Sequence, residues 1–408
     1  MTLYLPNGRP IELSDSRLGR GAEGAVFRLR DTEDLCAKIY LDPADGTRDR
    51  LVAMMRAEPA KWGGDHSEHL HVAWPREVLL DEHGAAHGFL MPLVEGEPIT
   101  KLFDPRMRLT AVDDPTWRVV VVVAARVARL LAKMHEAGIV MGDLSPANML
   151  LSRTGHVTLI DCDTVQFTDP QDGTVHRCSK LTPEYCPPDL SRNGTPLDPS
   201  HDDFGLAILV CQLLMEGEHP FEGVPSDVHA PDYAAPENIR LQNNRMLFPE
   251  RFMPVHDAIP ADVLPPEVRE LARRCFGEGH RDGMLRPAAQ LWADALDRAG
   301  FQLMGCRRNE RHLYHRSLSS CVWCDRAAAG GGEHYPSLKT VIPQPVPAQG
   351  QRTQVPATTW VPQAPSAPPV WQQTPKPRRG TTVAKVLGWA VVVVIIFIVI
   401  AAIAEAAS

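Results

Sequence analysis

The sequence has no excess of positive charge. Its 408 residues carry 42 Lys and Arg against 50 Asp and Glu, a formal net charge of -8. That balance argues against bulk nucleic-acid binding, which needs a basic surface, and no nucleic-acid partner is expected. Paired cysteines are also missing. Six of the nine cysteines (Cys36, Cys162, Cys178, Cys186, Cys211 and Cys275) stand far apart without a pairing pattern, which suits a reducing compartment. The opening MTLYLPNGRP has neither the basic start nor the apolar run of a secretory signal. The remaining composition, 44% hydrophobic and 23% charged, is that of a globular protein. At this length two or more units are expected.

The informative stretch is residues 139–163, IVMGDLSPANMLLSRTGHVTLIDCD. Asp143 is followed five residues later by Asn148, and thirteen residues after that by Asp161, at the end of the apolar run Val157–Ile160. A loop, a strand and a turn can gather two carboxylates and one amide oxygen around a point. That set suits one base and one or two Mg2+ ions, because Mg2+ takes oxygen ligands, usually one or two carboxylates plus substrate phosphates. One Asp or Asn alone would more often serve a turn.

Residues 18–27, LGRGAEGAVF, contain G-x-G-x-x-G at Gly19, Gly21 and Gly24, followed by Val26. Glycines at this spacing let backbone N–H groups approach a phosphate without a Cβ in the way. The flanks Ile11–Leu18 and Ala25–Leu29 read as strands, which separates the pattern from a strand-to-helix dinucleotide fingerprint. Lys38 then stands inside an apolar strand, Leu35–Ile39. A buried lysine is costly unless an anion pairs with it. Residues 47–58 read as a helix whose glutamate, Glu58, comes at its very end. Residues 72–80 and 87–94 read as further strands. Thr116–Ala137 reads as a buried core helix, since its apolar run is too short and too interrupted by arginine to span a membrane.

Together these segments resemble the protein kinase family over roughly residues 10–298. The resemblance implies an α+β, bilobal protein kinase fold, with a small β-rich N-lobe (1–93) and a helical C-lobe (94–300). It implies that Gly19, Gly21, Gly24 and Val26 cover ATP, that Lys38 holds its α and β phosphates, and that Met91 and Leu93 lie in the hinge where adenine meets backbone. Asp143 takes the place of the catalytic base, and Asn148 and Asp161 those of the Mg2+ ligands. Thr182 falls where Ser/Thr kinases keep a threonine bonded to the catalytic aspartate. Thr182–Asp189 resembles the substrate-docking segment, Arg286 the arginine that pairs with its acid, here Asp189, and Asp202 the aspartate that anchors the catalytic loop from beneath. A plain helix N-cap is the other reading of Asp202. Several family residues are missing. Met141 and Gly142 replace a histidine and the arginine that meets a loop phosphate, so less dependence on loop phosphorylation is expected. Ser145 replaces an accessory lysine, so its charge is either lost or supplied elsewhere. Cys162-Asp163 replaces Phe-Gly after Asp161. Whether Glu58 pairs with Lys38 is open.

The last three cysteines differ from the rest. Cys306, His312, Cys321 and Cys324 offer four ligands of the kind that Zn2+ prefers, in a segment (301–330) too short and polar to build a core without a staple. His315 competes with His312; a redox Cys-x-x-Cys pair is a rival reading. The spacing around His312 resembles a zinc-ribbon appendage found after some bacterial kinase domains. From Pro336 to Pro377 come eleven prolines, read within a disordered linker spanning 331–382. Residues 383–404 read as one C-terminal transmembrane helix, uncharged over 386–404. Basic residues lie on its N-terminal side only, so that side is expected to be cytoplasmic.

The expectation is a membrane-tethered, tail-anchored protein kinase. It would use ATP, Mg2+ and a structural Zn2+, and its partners would be protein substrates and the lipid bilayer. The alternative is a pseudokinase scaffold that binds nucleotide and recruits partners through the zinc module. Small-molecule kinase activity is a third reading, opposed by the docking segment.

Overall fold

The computed structural model describes residues 2–21, 23–59, 69–190, 196–254 and 258–337. Among the described residues between 3 and 92, seven strands form one antiparallel sheet, in the order β2–β1–β6–β7–β5–β4–β3. The strands are β1 (Leu3–Tyr4), β2 (Pro10–Ile11), β3 (Leu13–Arg20), β4 (Gly24–Leu29), β5 (Leu35–Tyr40), β6 (Glu77–Leu80) and β7 (Ala86–Pro92). Alternation along β5 sends Ala37 and Ile39 to one apolar layer and Cys36 to the other, where helix α1 (Thr47–Ala57) buries Leu51 against Val78, Phe89 and Met91. Lys38 shares that second face, paired in register with Val26 of β4 and Phe89 of β7. The strand expected from residue 72 begins at Glu77 instead. Pro75 interrupts it with no N–H for a ladder, and Val72 makes a lone bridge to Leu159.

The second lobe is helical: α2 (Pro105–Ala111), α3 (Trp117–Glu136), α4 (Pro199–Leu214), α5 (Ala235–Leu241), α6 (Pro266–Phe276) and α7 (Ala289–Phe301). Helix α3 is apolar nearly all round because it is packed nearly all round, chiefly by α7 and α4. Gly138, at φ 72°, ends it in the left-handed region. Asp198 caps α4, accepting from the Ser200 N–H at 2.8 Å while His201 completes a capping box. Asp202 is therefore not the cap. A small sheet of β8 (Glu97–Pro98), β9 (Met149–Leu151) and β10 (Val157–Leu159) lies in the order β10–β9–β8 and carries the stretch between Asn148 and Asp161.

Residues 301–337 are built onto the helical lobe. A hairpin (Leu303–Gly305 with Leu313–His315) follows α7, and α8 (Val322–Ala328) follows the hairpin. The Trp323 ring is buried, with its centroid 6.0 Å from that of Trp117 on α3 and 4.7 Å from that of Tyr335. The linker boundary expected at residue 331 is corrected, because His334 and Tyr335 have partners in the lobe. Arg108 of α2 donates to Glu216 at 2.9 Å and to the His334 carbonyl at 3.0 Å, with its guanidinium 4.1 Å from the Tyr335 ring centre. The linker beyond residue 337 and the apolar segment 383–404 lie outside the described residues. Among the described residues no helix is long and apolar enough to cross a membrane.

Candidate active site

The loop after α3 is held from below. Asp202 of α4 accepts from the N–H groups of Met141 (2.7 Å) and Gly142 (2.8 Å), and His135 Nε2 lies 2.9 Å from the same carboxylate. Burial opposes charge on His135, but Asp202 outweighs it and raises the imidazole's pKa. At Gly142 the backbone turns to φ 71°, and a Cβ there would lie 2.4 Å from Cys178 Sγ. The family's arginine has no room at this position.

The turn leads to Asp143, which is almost wholly buried. Thr182 donates its hydroxyl to one carboxylate oxygen. Asn148 Nδ2 donates to the Asp143 carbonyl at 3.1 Å and lies 3.4 Å from its other carboxylate oxygen. Ser145 accepts from the Ala147 N–H and so opens the short 3-10 turn Pro146–Asn148. Strands β9 and β10 then carry the chain to Asp161, whose φ of 61° is a left-handed value that Asp tolerates better than most residues. Asp143, Asn148 and Asp161 thus come together as the spacing suggested.

Lys38 is paired, but not with Glu58. It makes ion pairs with Asp161 and, at 2.6 Å, with Asp163. Asp163 also accepts from the Tyr40 hydroxyl at 2.7 Å. Glu58 instead meets Arg76 at 2.7 Å, because it follows the last turn of α1, ahead of Pro59. Burial works against the ammonium of Lys38, yet Asp163 and Asp161 together hold its pKa above the ordinary value. Burial likewise opposes ionisation of Asp161, and Lys38 and Lys180 overcome it and lower its pKa. From α1 the residue that reaches the site is Arg50, which donates to the carbonyls of Asp163 (2.9 Å), Val165 and Arg177 (3.0 Å). Sequence reasoning missed Asp163, Tyr40 and Arg50. The available signal was a second acid two residues past Asp161 with no glycine in the turn.

Above these groups lies a cleft of about 800 Å³, lined by the glycine loop, Val26, Lys38, Met91, Leu93, Asn148, Asp161 and Lys180. The glycines differ in their reasons. A Cβ on Gly24 would lie 2.4 Å from the Ile39 carbonyl oxygen, whereas Gly19 and Gly21 face open space. Gly24 is needed by the sheet, and the other two leave room for a ligand. Leu93 donates its N–H to the Asp34 carbonyl at 2.8 Å, while Met91 and Leu93 both line the cleft. Pro92 has no N–H, and Val94, Glu95 and Gly96 continue the cleft lining beyond Leu93. Beyond Thr182, Arg286 pairs with Asp189 and donates to the Gly279 carbonyl at 2.8 Å.

Cys306, His312, Cys321 and Cys324 bring one ligand atom each to within 4.8 Å of one another. His312 Nδ1 is 3.5 Å from Cys321 Sγ and 3.4 Å from Cys324 Sγ, and Cys306 Sγ is 3.6 Å from Cys324 Sγ. On the far side of the ring, Nε2 meets Glu333 at 2.7 Å. His315 turns away to Gln302 and Ser317, so His312 is the member of the cluster. A ring whose other nitrogen meets a carboxylate is oriented as a metal ligand is, and three sulfurs with one imidazole fit Zn2+. Glu333 was not legible from ligand spacing.

The chain matches the protein kinase domain family over residues 14–289. Protein kinase YegI of Escherichia coli is 32% identical over 331 residues, 79% of this chain and 50% of the relative. Serine/threonine-protein kinase PkaA of Streptomyces coelicolor is 28% identical over 223 residues, 52% of this chain and 40% of the relative. The chain thus spans about half, or less, of the length of these relatives. Among solved structures, the ROP18 kinase domain in complex with AMP-PNP and sucrose aligns with a TM-score of 0.49 at 20% identity, covering 74% of this chain and 82% of that one.

Proposed function

This chain belongs to the protein kinase family, and from that premise we propose that it transfers the γ-phosphate of ATP to Ser or Thr of protein substrates. The observation that carries the reading is the buried Asp143, bonded to Thr182 and grouped with Asn148 and Asp161 beneath an open glycine loop. Asp143 orients the acceptor hydroxyl and takes its proton. Lys38 offers its ammonium to the nucleotide phosphates, and the glycine loop offers backbone N–H groups. The carboxylate of Asp161 and the amide oxygen of Asn148 are the hard donors that would hold Mg2+, which neutralises phosphate charge when bound. The bond from Thr182 to Asp143 supports a Ser/Thr acceptor, as do relatives named for that specificity.

Two further readings accompany it. Cys306, His312, Cys321 and Cys324 hold a structural Zn2+, supported by their soft donor set and the Glu333 contact; metal analysis of the purified chain tests this, and finding no zinc refutes it. The uncharged run 386–404 anchors the chain in a membrane with the kinase on the cytoplasmic side; recovery of the full chain in the soluble fraction of lysed cells would refute that.

The catalytic test incubates the full chain with labelled ATP, Mg2+ and a generic protein acceptor, beside Asp143→Ala. Labelling lost in the variant supports the reading. Equal labelling, or ATP binding with no labelling by either protein, refutes it, and the second result favours a nucleotide-binding scaffold.

A further inference from the structure

Ser145 stands where the family commonly has a lysine. Its hydroxyl is engaged in capping the Pro146–Asn148 turn, and it carries no charge. A cation reaches the same region from another direction. Lys180 Nζ lies 3.2 Å from Asp143 Oδ2 and 3.8 Å from Asp161 Oδ2. Among the described residues it is the one cation that pairs with Asp143, and it lines the cleft beside Gly21 and Asn148. The other cations of the cleft wall make no ion pair with Asp143. Lys38 is bound between Asp161 and Asp163, Arg28 meets Glu95 at 3.5 Å, and Arg20 ends β3 on the glycine loop.

The backbone around Lys180 explains how it gets there. Cys178 donates its thiol to the Lys180 carbonyl at 2.8 Å and packs into the space that Gly142 leaves by having no Cβ. Two residues on, Thr182 is bonded to Asp143. The segment 178–182 is thus laid directly on the catalytic loop, and the missing arginine at 142 and the missing lysine at 145 have one structural answer.

Resting on the kinase reading above, we propose that Lys180 is a catalytic residue that stabilises the transferring phosphoryl group in place of a lysine at position 145. In the step, the acceptor hydroxyl oxygen bonds to the γ-phosphorus. The bond from that phosphorus to the bridging oxygen of the β-phosphate breaks, its electron pair leaves with ADP, and the hydroxyl proton passes to Asp143. Negative charge is spread over the equatorial oxygens of the moving group. An ammonium held between the carboxylate that meets the acceptor and the one that faces the nucleotide lies beside those oxygens. There its charge acts at the transition state rather than on ground-state binding.

The test uses the full chain and steady-state transfer to a generic protein acceptor, comparing wild type, Lys180→Met, Lys180→Gln, Lys180→Arg and Asp143→Ala. Melting temperature and ATP binding check that each variant folds. The expected result is a kcat about 100- to 1000-fold lower in the Met and Gln variants, a KM for ATP within about threefold of wild type, and substantial recovery in the Arg variant, which keeps the charge. A Met and Gln kcat within threefold of wild type, or a loss confined to the acceptor's KM, overturns the assignment and leaves Lys180 a residue that only holds its segment. Wild type no better than Asp143→Ala would instead sink the kinase reading, and the role of Lys180 would fall with it.

Discussion

Asp163 offers one carboxylate oxygen to Lys38 and the other to Tyr40, and its carbonyl to Arg50. Removing its charge leaves buried Lys38 with Asp161 as its one carboxylate partner, the carboxylate that should face metal. Asp163→Asn is expected to lower kcat/KM for ATP about 10- to 100-fold, the loss of roughly 1–3 kcal/mol of a charge-assisted hydrogen bond. Glu58→Gln should stay within twofold in the same assay; the reverse ranking would show that the helix glutamate positions the lysine after all. Asp203, one residue past the loop anchor, has a different signature. Burial raises its pKa from 3.8 to about 7, against the charge of His135 and with that of Asp202, and one of its oxygens has no hydrogen-bond partner. The folded chain therefore holds this proton more tightly than the unfolded chain does. The stability it contributes is complete below about pH 4 and is lost as pH rises through about 7. Asp203→Asn removes that dependence, so the melting temperature of the variant relative to wild type should climb between pH 5 and pH 8. A difference that is flat with pH would contradict the assignment.

At the scale of elements, the active-site loop and the segment 178–182 are locked by shape. Gly142 needs both its left-handed φ and its missing side chain, since Cys178 Sγ occupies the place of a Cβ. Gly142→Ala should cost about 1–3 kcal/mol through backbone strain, at roughly 2–4 °C of melting temperature per kcal/mol for a domain of this size. Activity should fall further than stability, because the shift of Cys178 carries Lys180 and Thr182 with it. An alanine variant as stable and active as wild type would mean that the segment is not seated on the loop. Helix α1 enters this arrangement through Arg50 and three carbonyls rather than through a carboxylate on Lys38. The position of Lys38 is thus tied to the Asp161–Asp163 turn.

At the scale of the molecule, the cysteine–histidine segment is a part of the helical lobe. Arg108 is fully buried, and its charge is met by Glu216, which also meets His334. Breaking a buried pair by deleting one partner costs about 3–5 kcal/mol, because the other charge is left in a dry site. Arg108→Met should therefore lower the melting temperature of the chain and speed proteolysis after residue 328. On the proposed zinc reading, a chelator should lower the same melting temperature, since Trp323, between Cys321 and Cys324, is packed on Trp117. Unfolding of the segment alone, with the lobe's transition unmoved, would show that the two are independent.

The resemblance carried by the sequence pointed to the lobes, the glycine loop, Lys38, Asp143, Asn148, Asp161 and the pairing of Arg286 with Asp189, and residue types at their spacing pointed to the four soft ligands. The short motifs among these rest on local spacing or on a charge in an apolar run, both of which are written along the chain, whereas the Arg286–Asp189 pair, 97 residues apart, came from the resemblance alone. Tertiary structure decided what meets those residues. Asp163 rather than Glu58 holds Lys38, Lys180 rather than residue 145 meets Asp143, Asp198 rather than Asp202 caps α4, and residues 331–337 belong to the lobe. Such pairings join positions that are distant in sequence, and for Lys38 and Asp163 the distance is 125 residues. They follow from which buried charge has an opposite charge within reach. That is a property of packed side chains in space, and the order of the residues does not carry it.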